Sequence, residues 1–132
     1  MMRPEDTIPS IRRIAANRPD AFGLDLVGQI NSADVENMYG LIEASYEGDQ
    51  KVDILVRMTD CDGFDRGVLL KDTTLALKTP TLKHVRRCAI VGGPAWITGV
   101  AALLSPFMTM TIRHFSPEAE ADAWKWIDAE PA

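Results

Sequence analysis

Charge is missing from residues 88–112. These twenty-five consecutive positions carry no Asp, Glu, Lys, Arg or His, in a chain that is 25% charged, and they lie between Arg86-Arg87 and Arg113-His114. A gap of that length marks a segment that meets apolar surroundings on nearly every face. It is long enough to cross a membrane, but Gly92-Gly93-Pro94 and Ser105-Pro106 cut it into strand, helix and strand, each too short to span. Cysteine is scarce: Cys61 and Cys88 are the only two, each in or beside a strand-like run, and they read as small core hydrophobes of a reducing cytosol with no disulfide. Histidine is equally scarce. Neither His84 nor His114 has a Cys or carboxylate at metal-ligand spacing, and no Ser or Cys sits in a nucleophile-elbow context. Gly92-Gly93-Pro94 lacks both the Gly-x-Gly-x-x-Gly spacing and a following Lys-Ser/Thr, which excludes a nucleotide loop. Basic excess is absent too. With 14 Lys and Arg against 19 Asp and Glu the net charge is −5, so a phosphate backbone would be repelled and no nucleic-acid partner is expected. Residues 1–10 hold acids and prolines without an apolar stretch, unlike a signal peptide. The expectation is a non-enzymatic cytoplasmic protein, without transmembrane segment, metal or cofactor.

What is present is an ordinary apolar fraction of 46% in 132 residues, enough for one domain with its own core. Residues 8–15 and 21–30 read as two extended runs joined by the turn-forming Asn17-Arg18-Pro19-Asp20, a hairpin in which Phe22, Leu24 and Leu26 form one buried face. Asn31 or Ser32 caps a helix with Asp34 and Glu36 near its positive end. Val35, Met38, Tyr39, Ile42 and Tyr46 follow at helical spacing, and Gly48 stops it. Residues 51–58 form a strand, 59–63 a loop, and 65–79 a second helix ended by Pro80. Residues 87–91 are a short apolar strand covered on both faces. The uncharged helix follows at 95–104, then a strand at 109–115. Ser116-Pro117-Glu118 opens a last helix with Ala123, Trp124 and Ile127 inward. The order is β-β-α-β-α-β-α-β-α, an α/β domain whose small sheet is mainly parallel with an antiparallel hairpin at one edge, flanked by about four helices. It occupies residues 8–129, after a flexible start at residues 1–7.

Three short blocks carry a family resemblance. Gly28-Gln29-Ile30 before a helix is similar to a "Gly-Lys-Ile/Leu-Thr" corner. Arg87-Cys88-Ala89-Ile90-Val91-Gly92 followed by Trp96 resembles an "Arg-x-Ala-x-Val-Gly…Trp" block. Phe115 with Ala123-Trp124 resembles a closing "Phe-x…Ala-x-x-Trp" pattern. Together, over about residues 8–127, they resemble the SpoIIAA-like branch of the STAS superfamily. The resemblance implies a single STAS-like domain comparable to the CRAL-TRIO lipid carriers, and brings no established activity. It also implies a departure: STAS antagonists are switched by phosphorylation of a Ser at the start of the helix after the central strand. This chain has Thr59-Asp60-Cys61-Asp62-Gly63-Phe64-Asp65 there, with no Ser. A phosphate on Thr59, the one hydroxyl in that stretch, would meet like charge from the acids around it.

Candidate sites are few. Asp60, Asp62 and Asp65 cluster where a central strand ends, the usual ligand position of open α/β sheets, but they miss the EF-hand pattern and read as a solvated loop. Cys61 among these acids should have its thiolate disfavoured. His84 in Lys83-His84-Val85-Arg86-Arg87 reads as a solvated strand start, and His114 ends a strand. The uncharged helix carries the functional expectation. Its outward face, Thr98, Gly99, Ala102 and Ser105, is small and neutral, so the helix is plain core, a wall of an apolar pocket, or an interface. Under the pocket reading the chain carries or senses a small nonpolar ligand, held by Trp96, Val100, Leu104, Phe107, Met108 and Trp124, with methionines suited to re-packing. Under the interface reading it is a STAS-type regulatory module acting as a homodimer or on a protein partner. Trp124 and Trp126 stand about 200° apart on a helix, so one of them should be exposed or lie against a ligand or partner.

Overall fold

The computed structural model of the chain describes residues 11–64, 83–93 and 110–132, with the side chains of Ser32 and Phe64 excepted. The expected helices over 65–79 and 95–104, the proposed ligand wall Trp96, Val100, Leu104, Phe107 and Met108, and residues 1–7 lie outside the described residues. The described elements are β1 (Ile11–Ala15), β2 (Ala21–Leu26), β3 (Gly28–Ile30), α1 (Ser32–Glu43), β4 (Val52–Met58), β5 (Cys61–Phe64), β6 (Val85–Gly92), β7 (Thr111–Phe115), a 3-10 turn (Pro117–Ala119) and α2 (Glu120–Trp126).

Five strands form the main sheet in the order β1-β2-β4-β6-β7. β1 and β2 are antiparallel, whereas β2, β4, β6 and β7 pair in parallel. This is the expected mixed sheet with a hairpin edge. It is a mixed α/β domain. The C-terminal tail returns to the hairpin, with Pro131 bridging Ala16 and the Ala132 amide donating to the Ala15 carbonyl.

Two expectations about local structure are corrected. The run over 21–30 is two strands: the chain leaves the main sheet after Leu26, turns at Gly28 (φ 74°), and pairs as β3 with β5 in a separate two-stranded sheet. The stretch 59–63, expected as a loop, therefore contributes Cys61–Phe64 as a strand. β5 is short and carries Asp62 and Gly63, residues depleted in strands, so local propensity hides it. α1 begins as expected at an Asn31 cap, whose side chain accepts from the Asp34 amide while the Asp34 carboxylate accepts from the Asn31 amide. It ends at Glu43, before Gly48.

The sheet separates two cores. Phe22, Leu24, Ile54, Val56 and Ile90 project to one side, together with Val35 and Ile42 of α1. Ala21, Leu55, Ala89 and Val91 project to the other, where Ala123, Trp124 and Ile127 of α2 cover them. β2 is thus buried on both faces, not one. The Trp124 indole lies across Gly23, where an added Cβ would be 3.1 Å from Trp124 Cη2 and 3.1 Å from Ile14 Cβ. Ala123, Trp124 and Ile127 are inward, as the spacing indicated. Trp126 is half-buried, its ring 6.0 Å from that of Phe115.

Candidate functional site

The carboxyl ends of β4 and β6 open into a cleft of about 380 Å³. Thr59 lines it from the β4–β5 turn, Cys61 and Asp62 from the start of β5, Gly92 from the end of β6, and His114 and Ser116 from the end of β7. In open parallel sheets this is where ligands and partners are met, because every strand hands its following loop to that end. Gly92 brings the three segments together. Its backbone is left-handed (φ 72°), and a Cβ there would sit 3.3 Å from Thr59 Cα and 3.4 Å from Pro117 Cγ. Only Gly meets both conditions without strain.

The cleft offers little covalent chemistry. Burial pushes the Cys61 thiol up, and the Asp62 charge pushes it the same way against the weak Cys61 Sγ contact to the Gly63 carbonyl at 3.7 Å. His114 Nε2 is 2.9 Å from the Gly92 carbonyl, a contact that holds the imidazole to the strand end. Cys61 and Cys88 are both free thiols. Among the described residues no group of three His, Cys, Asp or Glu side chains could hold a metal ion. Ser116 was not anticipated here: it is distant from Thr59 in sequence, and the β7–α2 turn alone brings a second hydroxyl to the cleft. Its side chain makes no capping hydrogen bond to the turn it opens.

A second polar centre lies at the opposite end of the sheet, and sequence reading missed it entirely. Asp53, fully buried at the start of β4, accepts hydrogen bonds from three arginines. Arg18 Nη2 and Arg87 Nη2 reach Oδ2 at 3.0 and 2.8 Å, and Arg86 Nε reaches Oδ1 at 3.1 Å. Neighbours on a strand normally point to opposite faces. Arg86 and Arg87 converge because the β4–β6 register shifts between Val52 and Asp53, leaving Arg86 as the extra residue of a bulge. Burial alone would raise the Asp53 carboxyl, but the hydrogen bonds from Arg87, Arg86 and Arg18 outweigh it and hold the group far below the usual carboxylate range. Two of these arginines also satisfy open carbonyls at the end of α2: Arg18 donates to Ile127 and Asp128, and Arg87 to Trp126. This centre fastens α2 to the sheet. A smaller network does the same at the other end of the helix, where buried Asp25 pairs with Arg57 and Arg12, and Arg57 reaches Glu120 at 3.2 Å.

Of the residues expected to bind a nonpolar ligand, Trp124 alone is described. It is 4% exposed, and its Nε1 donates to Glu120 Oε2 at 3.3 Å. Asp60 and Asp62 lie in the β4–β5 turn and β5, with Asp65 outside the described residues. His84 is half-buried, stacked on Tyr46 with ring centroids 3.8 Å apart. Among the described residues no helix is long and apolar enough to cross a membrane.

Comparison with known proteins agrees with this architecture. An uncharacterised protein of Shewanella loihica PV-4 with a SpoIIAA-like fold is 24% identical, with a TM-score of 0.68 over 92% of this chain and 96% of that one. The anti-sigma factor antagonist SpoIIAA in its unphosphorylated form is 12% identical, with a TM-score of 0.50 over 87% of this chain and 97% of its own. The Bacillus cell fate determinant SpoIIAA in its phosphorylated form is 11% identical, with a TM-score of 0.51 over 85% and 96%. At such identities the likeness is one of fold. No curated protein matches the sequence. The SpoIIAA-like family pattern matches residues 21–128. The chain belongs to the SpoIIAA-like family of the STAS superfamily.

Proposed function

We propose that this chain is a non-enzymatic regulatory module that binds a protein partner with the loops at the carboxyl end of its sheet. The likeness to SpoIIAA, an anti-sigma factor antagonist, supports a role of this kind. The observation that carries it is the cleft itself. It is built from Thr59, Asp62, Gly92 and Ser116 on three converging segments, with burial and the Asp62 charge disfavouring its thiolate. Such a surface recognises; it does not transform. The module works without the usual phosphorylatable Ser, since Thr59 stands beside Asp60 and near Asp62, which repel an added phosphate. A photoreactive residue placed at Asp62, and for comparison at the exposed Glu36 of α1, tests the reading inside cells. Crosslinks to one defined protein from position 62 and none from position 36 are expected. Equal crosslinking from both positions would sink the reading.

A second reading has its own support in the uncharged segment over 88–112. Here the chain holds a small nonpolar ligand against Trp96, Val100, Leu104, Phe107, Met108 and Trp124, or uses the same segment as a homodimer contact. Native mass spectrometry of protein purified without detergent separates these. A monomer carrying an extractable apolar compound supports the pocket, a bare dimer supports the interface, and a bare monomer leaves the segment as core.

A further inference from the structure

We propose that a basic cleft at the amino end of the sheet, framed by Lys51, Lys83 and Arg86, binds a small dianion of the phosphate-monoester class. The site is at the opposite end of β4 from the partner surface proposed above and does not depend on it. The cleft measures about 320 Å³ and is lined by Lys51, Lys83, Val85 and Arg86. Lys51 and Lys83 are exposed and both line the cleft, and the Lys51 ammonium is held there by donating to the Lys83 carbonyl. Neither lysine has a carboxylate partner among the described residues. Arg86, whose side chain is 49% exposed, spends Nε and Nη2 on Asp53 and leaves both Nη1 hydrogens without a partner among the described residues.

The surroundings reinforce the charge. Three guanidinium groups share the one Asp53 carboxylate, and Arg18 also pairs with Asp20. Arg18, Arg86 and Arg87 thus share one buried carboxylate beside the two lysines of the cleft, a local concentration of cations in a molecule whose net charge is −5. Asp53 fixes the plane of Arg86 by a bidentate grip and presents the remaining edge of the fork outward, preorganised for planar two-point recognition of an oxyanion. The lysines add point charges to the same cleft, and a bound dianion offsets the repulsion among these cations. His84 faces away from this task, its ring stacked on Tyr46 and its Nδ1 at 3.0 Å from the Gln50 carbonyl.

The test uses the whole chain with inorganic phosphate and phenyl phosphate as probes, against potassium chloride at equal ionic strength. Saturable amide shifts at Lys51, Lys83 and Arg86 and a rise in melting temperature beyond that in chloride are expected. The surface variant Lys51→Gln/Lys83→Gln should weaken both probes by about tenfold or more while keeping its melting temperature in chloride. Lys125→Gln, on α2, should bind as the parent does. Vesicles of phosphatidylglycerol supply the same chemistry in a membrane: retention on them without any response to the free probes would overturn the proposal. Shifts that match those in chloride, or a double variant that binds as tightly as the parent, would overturn it as well.

Discussion

Asp53 shows how much one carboxylate can organise. It has no exposure, yet its charge is held by Arg18, Arg86 and Arg87, and through Arg18 and Arg87 it reaches the carbonyls at the end of α2. Removing one partner from a buried ionic cluster leaves the others uncompensated, so Asp53→Ala is expected to cost about 3 kcal/mol. Urea unfolding measures it. The pH dependence has a definite sign. The folded-state carboxyl lies below its unfolded value of 3.8, so its contribution is complete above that value and disappears as pH falls below it. Asp20, lowered mainly by its hydrogen bond from Arg18, adds in the same direction but is more exposed. The parent should lose stability steeply below about pH 4, and Asp53→Asn should show a shallower loss over that range. An acid profile of the variant parallel to that of the parent would refute the assignment. None of this was legible in the sequence. Asp53 sits in a strand one residue from Ile54-Leu55-Val56, and its partners come from a turn and from a bulge that places adjacent arginines on one side. Pattern reading assumes strict alternation, and the bulge breaks it.

At the scale of the element, the packing of α2 on the sheet turns on Gly23. In most strand positions Ala improves on Gly, because Gly gives up more chain entropy on folding. Here a methyl group would stand 3.1 Å from Ile14 Cβ, which belongs to the paired residue of β1 and cannot rotate away, and 3.1 Å from the Trp124 ring. Gly23→Ala is therefore expected to destabilise by about 1–2 kcal/mol through overpacking. Shortening the ring in Gly23→Ala/Trp124→Phe should give part of that back relative to the two single changes. Denaturant midpoints for the double-mutant cycle decide it: strictly additive effects would mean the helix does not rest on Gly23. Element type was largely legible, since α1, β4, β6, β7 and α2 follow from periodicity and from caps such as Asn31. The exceptions share one cause. β2 reads as one-sided because Gly23 and Asp25 look solvent-facing, and β5 reads as a loop because Asp62 and Gly63 disfavour strands. In both cases a distant partner overrides local chemistry: α2 and Arg57 for β2, and β3 for β5.

For the whole molecule, the proposed functions divide between two ends of one sheet and one uncharged segment. The carboxyl-end cleft follows from topology, and the loop over 59–63 was visible as a candidate because it leaves a central strand. Ser116 was not visible there, since joining it to Thr59 requires β7 to lie beside β6. The segment over 88–112 is the remaining question, and Val100→Asp addresses it directly. A carboxylate placed in an apolar surrounding must be desolvated or must exclude what was packed there. If the segment walls a ligand pocket, Val100→Asp is expected to lose a co-purifying apolar compound while keeping the oligomeric state and most of its melting temperature. A dimer that dissociates on the same change assigns the segment to an interface. A drop in stability of about 3 kcal/mol or more with neither ligand nor dimer involved makes it core, and removes the nonpolar-ligand reading. Under each of these outcomes, crosslinking from position 62 at the other site should persist wherever the variant stays folded. Its loss in a folded variant would mean that the partner spans both surfaces.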